Sequence, residues 1–267
     1  MKTVPIKNPY IRAIENNLLE AATIGRGLRV EINHHRLRLS PRWWRAFPPD
    51  YEKECFAFLE KSLRPGDVAF DVGSHVGLFA LVMAQLVGPD GRVVAFEPNP
   101  TARRFLNRHV RLNRLSEQIM AEPIALSDKA GEATLYAGPV TADSGSPADP
   151  GSSLYAQNHL TTPIAVPVST VDDYCSRNKI IPRVIKIDVE GYERFVIEGA
   201  TATLAQGDVY ILCEVHVDNM RMIGETPGLL LQTIKRAGYA AFDLAGQPLD
   251  SLDRGGHVVF KRVKRNN

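Results

Sequence analysis

Residues 68–87 read VAFDVGSHVGLFALVMAQLV. A short apolar run ends at Asp71 and Val72, a turn bounded by Gly73 and Gly77 follows, and an apolar run of helical length begins there. A strand that leads through a tight turn into a helix is the repeating unit of sheets covered by helices on both faces. Such sheets bind ligands outside the carboxyl ends of their strands, so we expect this turn to lie at a binding site.

The rest of the chain continues this alternation of strand-like and helix-like runs. The strand-like runs are Val68 to Val72, Arg92 to Phe96, Gln118 to Leu126, Val184 to Asp188 and Tyr210 to Val215. Amphipathic stretches of helical length separate them. The pattern predicts an α/β fold with a doubly wound, mostly parallel, seven-stranded, Rossmann-like sheet. Two later runs, Tyr239 to Leu244 and His257 to Val263, predict a terminal β-hairpin at the sheet edge.

Two segments fall outside this alternation. Residues 1–64 combine helix-like and hairpin-like patterns, and we interpret them as a lid or flank of the main domain, residues 65–267. Residues 138–163 are rich in Gly, Ser, Pro and Asp, and a connection of that length is usually functional or disordered. We interpret this second segment as a substrate loop.

Composition excludes several classes of function. The net charge of +2 gives no bulk attraction to nucleic acid or to a membrane surface. No apolar run reaches the length that spans a bilayer, so we expect a cytoplasmic protein. The three cysteines, Cys55, Cys175 and Cys213, are widely separated and lack metal-type spacing, so we predict neither a disulfide framework nor a zinc site and assign no metal ligand. A metal held by acidic side chains stays open. The sequence leaves a homodimer open.

Carboxylates end the first two strands. Asp71 precedes the glycine turn, where it would repel a pyrophosphate but suits a ligand with positive charge. Glu97, in the segment FEPN that ends at Asn99, follows the second strand, where it could accept hydrogen bonds from both hydroxyls of a ribose. Either acid alone could be a helix cap or a solvated strand end. Together they indicate a phosphate-free, cationic nucleoside.

The segment VIKIDVEG, residues 184–191, carries charge where a central parallel strand should be apolar. Period-two alternation places Lys186, Asp188 and Glu190 on one side, and the next strand does the same for Glu214 and His216. Burying unpaired charge is costly, so these residues indicate a polar site at the carboxyl ends of the strands. A structural ion pair between Lys186 and an acid is the alternative.

The motifs resemble those of the FkbM family of methyltransferases. They are the turn DVGSHVG, the strand end FEPNP, the segments IALSD and VSTVDD, and KIDVEGYE followed by IEGA, over about residues 66–216. The resemblance implies a class I methyltransferase that uses S-adenosylmethionine (SAM) on a hydroxyl of a sugar or a secondary metabolite. His75 stands where members of the family usually have Asn.

The resemblance also implies which residues bind the cofactor. Asp71, Gly73 and Gly77 would line the methionine part of SAM, Glu97 would bind the ribose, and Asp188 would lie near the sulfonium. The remaining cofactor candidates are His75 and Asn99, and Ala125 with Leu126 for the adenine.

Methyl transfer to an alcohol gains from a base near the acceptor oxygen. The candidates are His216, whose ordinary pKa suits neutral pH, and Lys186, provided that its surroundings keep it neutral; Asp188 completes the catalytic set. The acceptor, a small molecule such as a glycoside or a polyketide-like alcohol, would contact Glu190, Glu214 and the loop residues Ser153 and Tyr155.

Two other functions compete with this one. A nicotinamide-dependent oxidoreductase could share the topology, but the glycine spacing and Asp71 weigh against a dinucleotide. A non-catalytic interaction protein could use Trp43 and Trp44 as interface anchors. Adjacent tryptophans more often pack in a core.

Overall fold

The computed structural model describes residues 9–138, 140, 152–154 and 161–263. The helices are α1 (Pro9–Ala22), α2 (Lys53–Ser62), α3 (Leu78–Val87), α4 (Pro100–Leu112), α5 (Val171–Asn178), α6 (Glu193–Glu198), α7 (Thr201–Gln206), α8 (Val217–Met222) and α9 (Pro227–Arg236). The strands are β1 (Leu28–Ile32), β2 (His35–Leu39), β3 (Val68–Val72), β4 (Arg92–Phe96), β5 (Ile119–Glu122), β6 (Ala125–Leu126), β7 (Gly131–Ala137), β8 (Ser152–Ser153), β9 (Thr162–Ser169), β10 (Val184–Ile187), β11 (Tyr210–Val215), β12 (Tyr239–Phe242), β13 (Pro248–Leu249) and β14 (Gly256–Arg262).

The central sheet has the strand order β13-β12-β14-β11-β10-β3-β4-β5. The five strands from β11 to β5 are parallel, and β14 runs antiparallel between β11 and β12. This confirms the doubly wound α/β fold and the terminal hairpin. The eighth strand, which the sequence did not predict, is the two-residue β13 paired with β12. A pairing that short leaves no alternating pattern to detect.

Two apolar cores cover the two faces of the sheet. Ala69, Val93 and Leu212 belong to the core that holds α3, whereas their chain neighbours Phe70 and Ile211 belong to the core on the opposite face. Successive side chains of a strand point to opposite faces, so strands buried on both sides are apolar at nearly every position. Charged side chains within these strands therefore stand out.

A second sheet, of order β6-β9-β7-β8, corrects two expectations. The run Gln118 to Leu126 is not one strand, because Pro123 lacks a backbone N–H and separates β5 from β6. The segment 138–163, interpreted as a loop, includes β8 and the first residues of β9. Its residues 139, 141–151 and 155–160 lie outside the described residues.

The N-terminal segment packs on the sheet. Ile32, Leu37 and Trp43 join the same apolar core as α3. Trp43 is fully buried, with its ring 5.3 Å from that of His75, so it is a packing residue and no interface anchor. Trp44 lies under the guanidinium of Arg45, 4.1 Å from the ring centroid. Among the helices of the described residues, none is both long and apolar enough to cross a membrane.

Candidate active site

A buried ion pair lies at the carboxyl end of β10. Lys186 is 3% exposed, and its Nζ lies 3.0 Å from Oδ2 of Asp188 and 4.6 Å from the centroid of the Phe79 ring. Burial would lower the pKa of Lys186, but the charges of Asp188 and Asp71 outweigh it and raise this pKa. Lys186 therefore carries its proton at neutral pH. It could act as a base only if it were neutral, so this requirement is not met.

His216 is held by a carboxylate that the sequence analysis did not assign. Its Nδ1 lies 2.8 Å from Oε1 of Glu193, which is fully buried and also accepts a hydrogen bond from the backbone N–H of Gly191 at 2.9 Å. An imidazole whose Nδ1–H donates to a carboxylate has a fixed tautomer and orientation. The other ring nitrogen, Nε2, therefore points in a fixed direction.

Three carboxylates surround that Nε2. Glu190 Oε2 lies 3.6 Å away, Glu214 Oε1 3.7 Å and Asp188 Oδ1 3.8 Å. Burial would lower the pKa of His216, but the bond to Glu193 and the charges of Glu190 and Asp188 raise it to about 9. The expectation of an ordinary histidine pKa was therefore wrong, because the imidazole lies among acids.

Glu190 itself is held in an unusual conformation. Strand β10 ends at Ile187, so Glu190 reaches the cluster by a left-handed backbone turn with φ of 54° and not by strand alternation. Asn219 Nδ2 donates to its Oε2 at 2.7 Å. Burial raises the pKa of Glu190 to about 7. The charge of His216 would lower this pKa, but the neighbouring acids raise it. A strained residue that keeps such a position is typical of a functional site.

The turn after β3 is tied to the end of β4. Glu97 Oε2 accepts a hydrogen bond from the backbone N–H of His75 at 2.7 Å, and its Oε1 accepts one from Asn99 at 2.8 Å. Each oxygen keeps a second lone pair for another donor. Burial raises the pKa of Glu97 to about 7. The side chain of Asn99 caps α4 by accepting from Thr101 N at 2.9 Å.

Asp71 is fully buried at the end of β3, next to Lys186 in the parallel register. Within the described residues, neither of its carboxylate oxygens has a well-aligned hydrogen-bond partner. Burial raises its pKa to about 6, although the charge of Lys186 opposes this. A buried carboxylate that lacks a well-aligned hydrogen bond, beside a second one that retains lone pairs, fits a ligand that brings hydrogen-bond donors and positive charge.

The glycines of the turn are required by the fold. A Cβ on Gly73, which has φ of +77°, would lie 1.8 Å from the backbone oxygen of Asp188. A Cβ on Gly77 would lie 2.3 Å from Leu106 Cδ1. The turn therefore contacts the end of β10 directly, and this contact places the Asp71 turn beside the His216 cluster.

The other assigned residues lie farther along the chain. Ala125 and Leu126 form β6 and are buried, as an apolar base-binding wall requires. Ser153 lies in β8, opposite Tyr136. Tyr155 lies outside the described residues. The site thus unites Asp188 and Glu190, which follow β10, and Glu214 of β11 with His216. The adenine and loop assignments stay predictions.

The wall of the crevice contains residues that sequence reasoning missed. His257 pairs with Glu214 across β14 and β11, and its Nε2 lies 3.4 Å from Glu214 Oε2 and 3.1 Å from Glu52 Oε2. Glu52 precedes α2, which also carries the buried Cys55. The pairing of β14 with β11 brings His257 beside Glu214, and the sequence alone does not show that pairing. Glu193, in contrast, lies within the motif KIDVEGYE and could have been assigned from it.

Comparison with known proteins gives one family. Residues 71–241 match the family model described as Methyltransferase FkbM domain. The hexuronic acid methyltransferase AglP of Haloferax volcanii is 25% identical over 65% of this chain and 66% of its own length. The 31-O-demethyl-FK506 methyltransferase FkbM of Streptomyces tacrolimicus is 30% identical over 67% of this chain and 76% of its own.

Among solved structures, methyltransferase FkbM from Methylobacillus flagellatus aligns with a TM-score of 0.46 and 13% identity, over 92% of this chain and 58% of that one. The matched family region contains the turn after β3, the end of β4 and the whole His216 cluster. It therefore spans the geometry described above.

Proposed function

The chain belongs to the FkbM methyltransferase family, and from this premise we propose that it methylates a hydroxyl oxygen of a sugar or secondary-metabolite acceptor with SAM. SAM dependence and methyl transfer characterise the family; the acceptor class is the proposal. One relative is named for a hexuronic acid, and the name of the other specifies an oxygen position of FK506. Both names fit an oxygen-rich small molecule.

The observation that carries the proposal is the fixed imidazole of His216 among Asp188, Glu190 and Glu214. Methylation of an alcohol needs a group that takes the hydroxyl proton, and an alignment of oxygen with the methyl group. His216 and the three acids could accept that proton or hydrogen-bond the hydroxyls of a polyol. A non-catalytic interaction protein would not require an oriented imidazole among three carboxylates.

The cofactor contacts follow from the two strand ends. Glu97 has lone pairs left for the two ribose hydroxyls, and Asp71 and Asp188 offer negative charge to the methionine part. Lys186 would keep Asp188 ionised and in place. When bound, SAM supplies an electrophilic methyl group on a sulfonium. The buried Ala125 and Leu126 would contact the adenine.

Two residues compete for the role of base. His216 must first lose a proton, because its pKa of about 9 keeps it protonated at neutral pH. Glu190, with its pKa raised to about 7, is half ionised there and lies 3.6 Å from His216 Nε2. We favour His216 as the base and Glu190 as a hydrogen-bond acceptor for the substrate, since the imidazole is oriented by Glu193 and binds a proton more strongly.

The acceptor would approach past β8. Leu154, which follows β8, lines a groove together with Ser127 and Tyr192, and Tyr192 stands two residues after Glu190 in the chain. This adjacency supports the assignment of Ser153 and Tyr155 to the acceptor. Free thiols at all three cysteines fit a cytoplasmic enzyme, which we include in the proposal.

The test is methyl transfer from labelled SAM to a panel of glycosides, hexuronic acids and polyketide alcohols. We expect turnover with at least one hydroxyl acceptor, and a loss of 100-fold or more in kcat, on the order seen when a general base is removed, in His216→Ala. The matched control is His34→Ala, an exposed histidine of the β1–β2 turn. Undiminished turnover in His216→Ala would remove the imidazole from the reaction, and methylation of amines alone would refute the oxygen acceptor.

A further inference from the structure

Three side chains of different elements meet on the wall of the crevice, outside the groups assigned to methyl transfer. Glu52 and Cys55 lie at the beginning of α2, and His257 lies in β14. One ligand atom of each, a carboxylate oxygen, the thiol sulfur and an imidazole nitrogen, lies within 4.8 Å of the other two. We call this group the Glu52–Cys55–His257 cluster.

Two of these atoms are buried without satisfactory hydrogen bonds. Glu52 Oε2 and His257 Nε2 are 3.1 Å apart, yet among the described residues neither has an aligned hydrogen-bond partner. Leaving such buried atoms unpaired destabilises a fold. A single N–H at Nε2 also cannot point at both Glu52 and Glu214. A single cation could bind all of these atoms at once.

The separations between these atoms fit a metal ion. A tetrahedral zinc with bonds of about 2.0–2.3 Å holds its ligand atoms about 3.3–3.7 Å apart. The observed Nε2 to Oε2 separations, 3.1 Å to Glu52 and 3.4 Å to Glu214, lie close to that value. Thiolate, imidazole and carboxylate are the three ligand types of zinc, and a buried thiol favours it over magnesium or calcium.

The backbone also holds one of the three ligands in place. Glu52, a residue other than glycine, holds a left-handed backbone with φ of 43° where its side chain joins the cluster. Strain of this kind persists where the position of a side chain matters.

We propose that Glu52, Cys55 and His257 bind one zinc ion that joins α2 to β14 of the central sheet. A water molecule would complete the tetrahedron. Binding displaces the thiol proton of Cys55 and any proton on His257 Nε2 into solution, so affinity falls with falling pH. The inference is independent of methyl transfer, because it rests on ligand geometry alone. It replaces our expectation, from cysteine spacing, of no zinc site.

The experiment uses Co²⁺ as a spectroscopic substitute for zinc in the full-length protein. We expect one equivalent of Co²⁺ to bind with a thiolate-to-metal charge-transfer band in the near ultraviolet, and Zn²⁺ to displace it. Cys55→Ser should lose the band, and His257→Gln should weaken binding at least 100-fold. The matched control Cys175→Ser removes another buried cysteine, one that belongs to no such cluster in the described chain, and should retain the band.

Two results would overturn the proposal. One is the absence of a charge-transfer band in the wild type, or its persistence in Cys55→Ser. The other is metal binding that disappears in His35→Ala, because His34, His35 and Glu60 form another group of possible ligands. Should Cys55→Ser fail to fold, Glu52→Gln keeps the shape of the side chain. It should lose the rise in Tm that Zn²⁺ produces in the wild type, and an undiminished rise would count against the site.

Discussion

The imidazole of His216 donates its Nδ1–H toward a carboxylate of Glu193 that has no contact with solvent, at 2.8 Å. This pair joins the first residue of α6 to the residue that precedes α8. It fixes both the direction in which Nε2 points and the charge that the ring prefers. Several measurable properties follow from it and from its neighbours.

The pH dependence of kcat/KM distinguishes the two candidate bases. If His216 accepts the proton, activity rises as the ring deprotonates, with a midpoint near pH 9, because its pKa is raised to about 9. If Glu190 accepts it, the midpoint lies near pH 7. We expect the higher value. Initial rates at subsaturating acceptor across pH 5.5–10 would decide, and a midpoint at about pH 7 would transfer the role to Glu190.

Glu193→Gln should move that profile to lower pH. The amide can still accept the Nδ1–H of His216 but removes a negative charge, and such a partner shifts a pKa by about 1–3 units. Glu198→Gln, at the other end of α6 in an ion pair with Arg194, serves as the control and should leave the midpoint unchanged. A purely structural role for Glu193 would lower activity equally at every pH.

Glu97→Gln should weaken SAM binding. Its two oxygens accept the backbone N–H groups of His75 and Asn99, and glutamine has only one acceptor oxygen. Hydrogen bonds to a charged group contribute about 1.5–3 kcal/mol, which corresponds to about 10- to 100-fold in Kd. Calorimetric titration measures it. Glu122→Gln, at the end of neighbouring β5, should bind SAM normally, and equal weakening in both variants would indicate a general disturbance of the sheet.

Lys186→Met should destabilise the fold by about 3–5 kcal/mol, because it leaves the buried carboxylates of Asp71 and Asp188 without their cation. Denaturant unfolding measures the loss. Lys235→Met, on the exposed side of α9, should change stability by no more than about 0.5 kcal/mol. An unfolding free energy of Lys186→Met equal to that of the wild type would mean that the acids are protonated.

Gly73→Ala and Gly66→Ala form a matched pair. Both glycines have positive φ, +77° and +88°, so alanine is strained by about 1–2 kcal/mol at either position. Only at Gly73 does the new Cβ meet backbone, 1.8 Å from the Asp188 oxygen; at Gly66 nothing lies within 4 Å. We expect a further loss of about 1–3 kcal/mol and impaired SAM binding in Gly73→Ala. Equal unfolding free energies in the two variants would show that the glycine turn after β3 can move away from the end of β10.

The sequence predicted the sheet and most of the acids that meet in the crevice. The strands were visible because strands buried on both faces are nearly continuous apolar runs, and Lys186, Asp188 and Glu214 interrupted those runs. The second sheet was missed because β6 and β8 have only two residues each, β7 and β9 are largely exposed, and β9 contains two prolines. Such strands look like loops in a sequence.

The details of the site depended on contacts that spacing cannot give. His257 meets Glu214 only because β14 pairs with β11 in one particular register, and Glu190 reaches His216 only through a left-handed turn. The pKa of His216 followed in turn from these neighbours. Residue types were therefore predictable, whereas their charge states required the three-dimensional arrangement.

The two ends of the segment that forms the second sheet lie side by side, because Ala125 of β6 pairs with Val168 of β9. A segment whose two ends adjoin can be exchanged for another without reordering the strands of its host. Natural recombination, or a designed chimaera, could thus replace the residues between β6 and β9, where we propose that the acceptor binds, and leave Ala125, Leu126 and the central sheet unchanged.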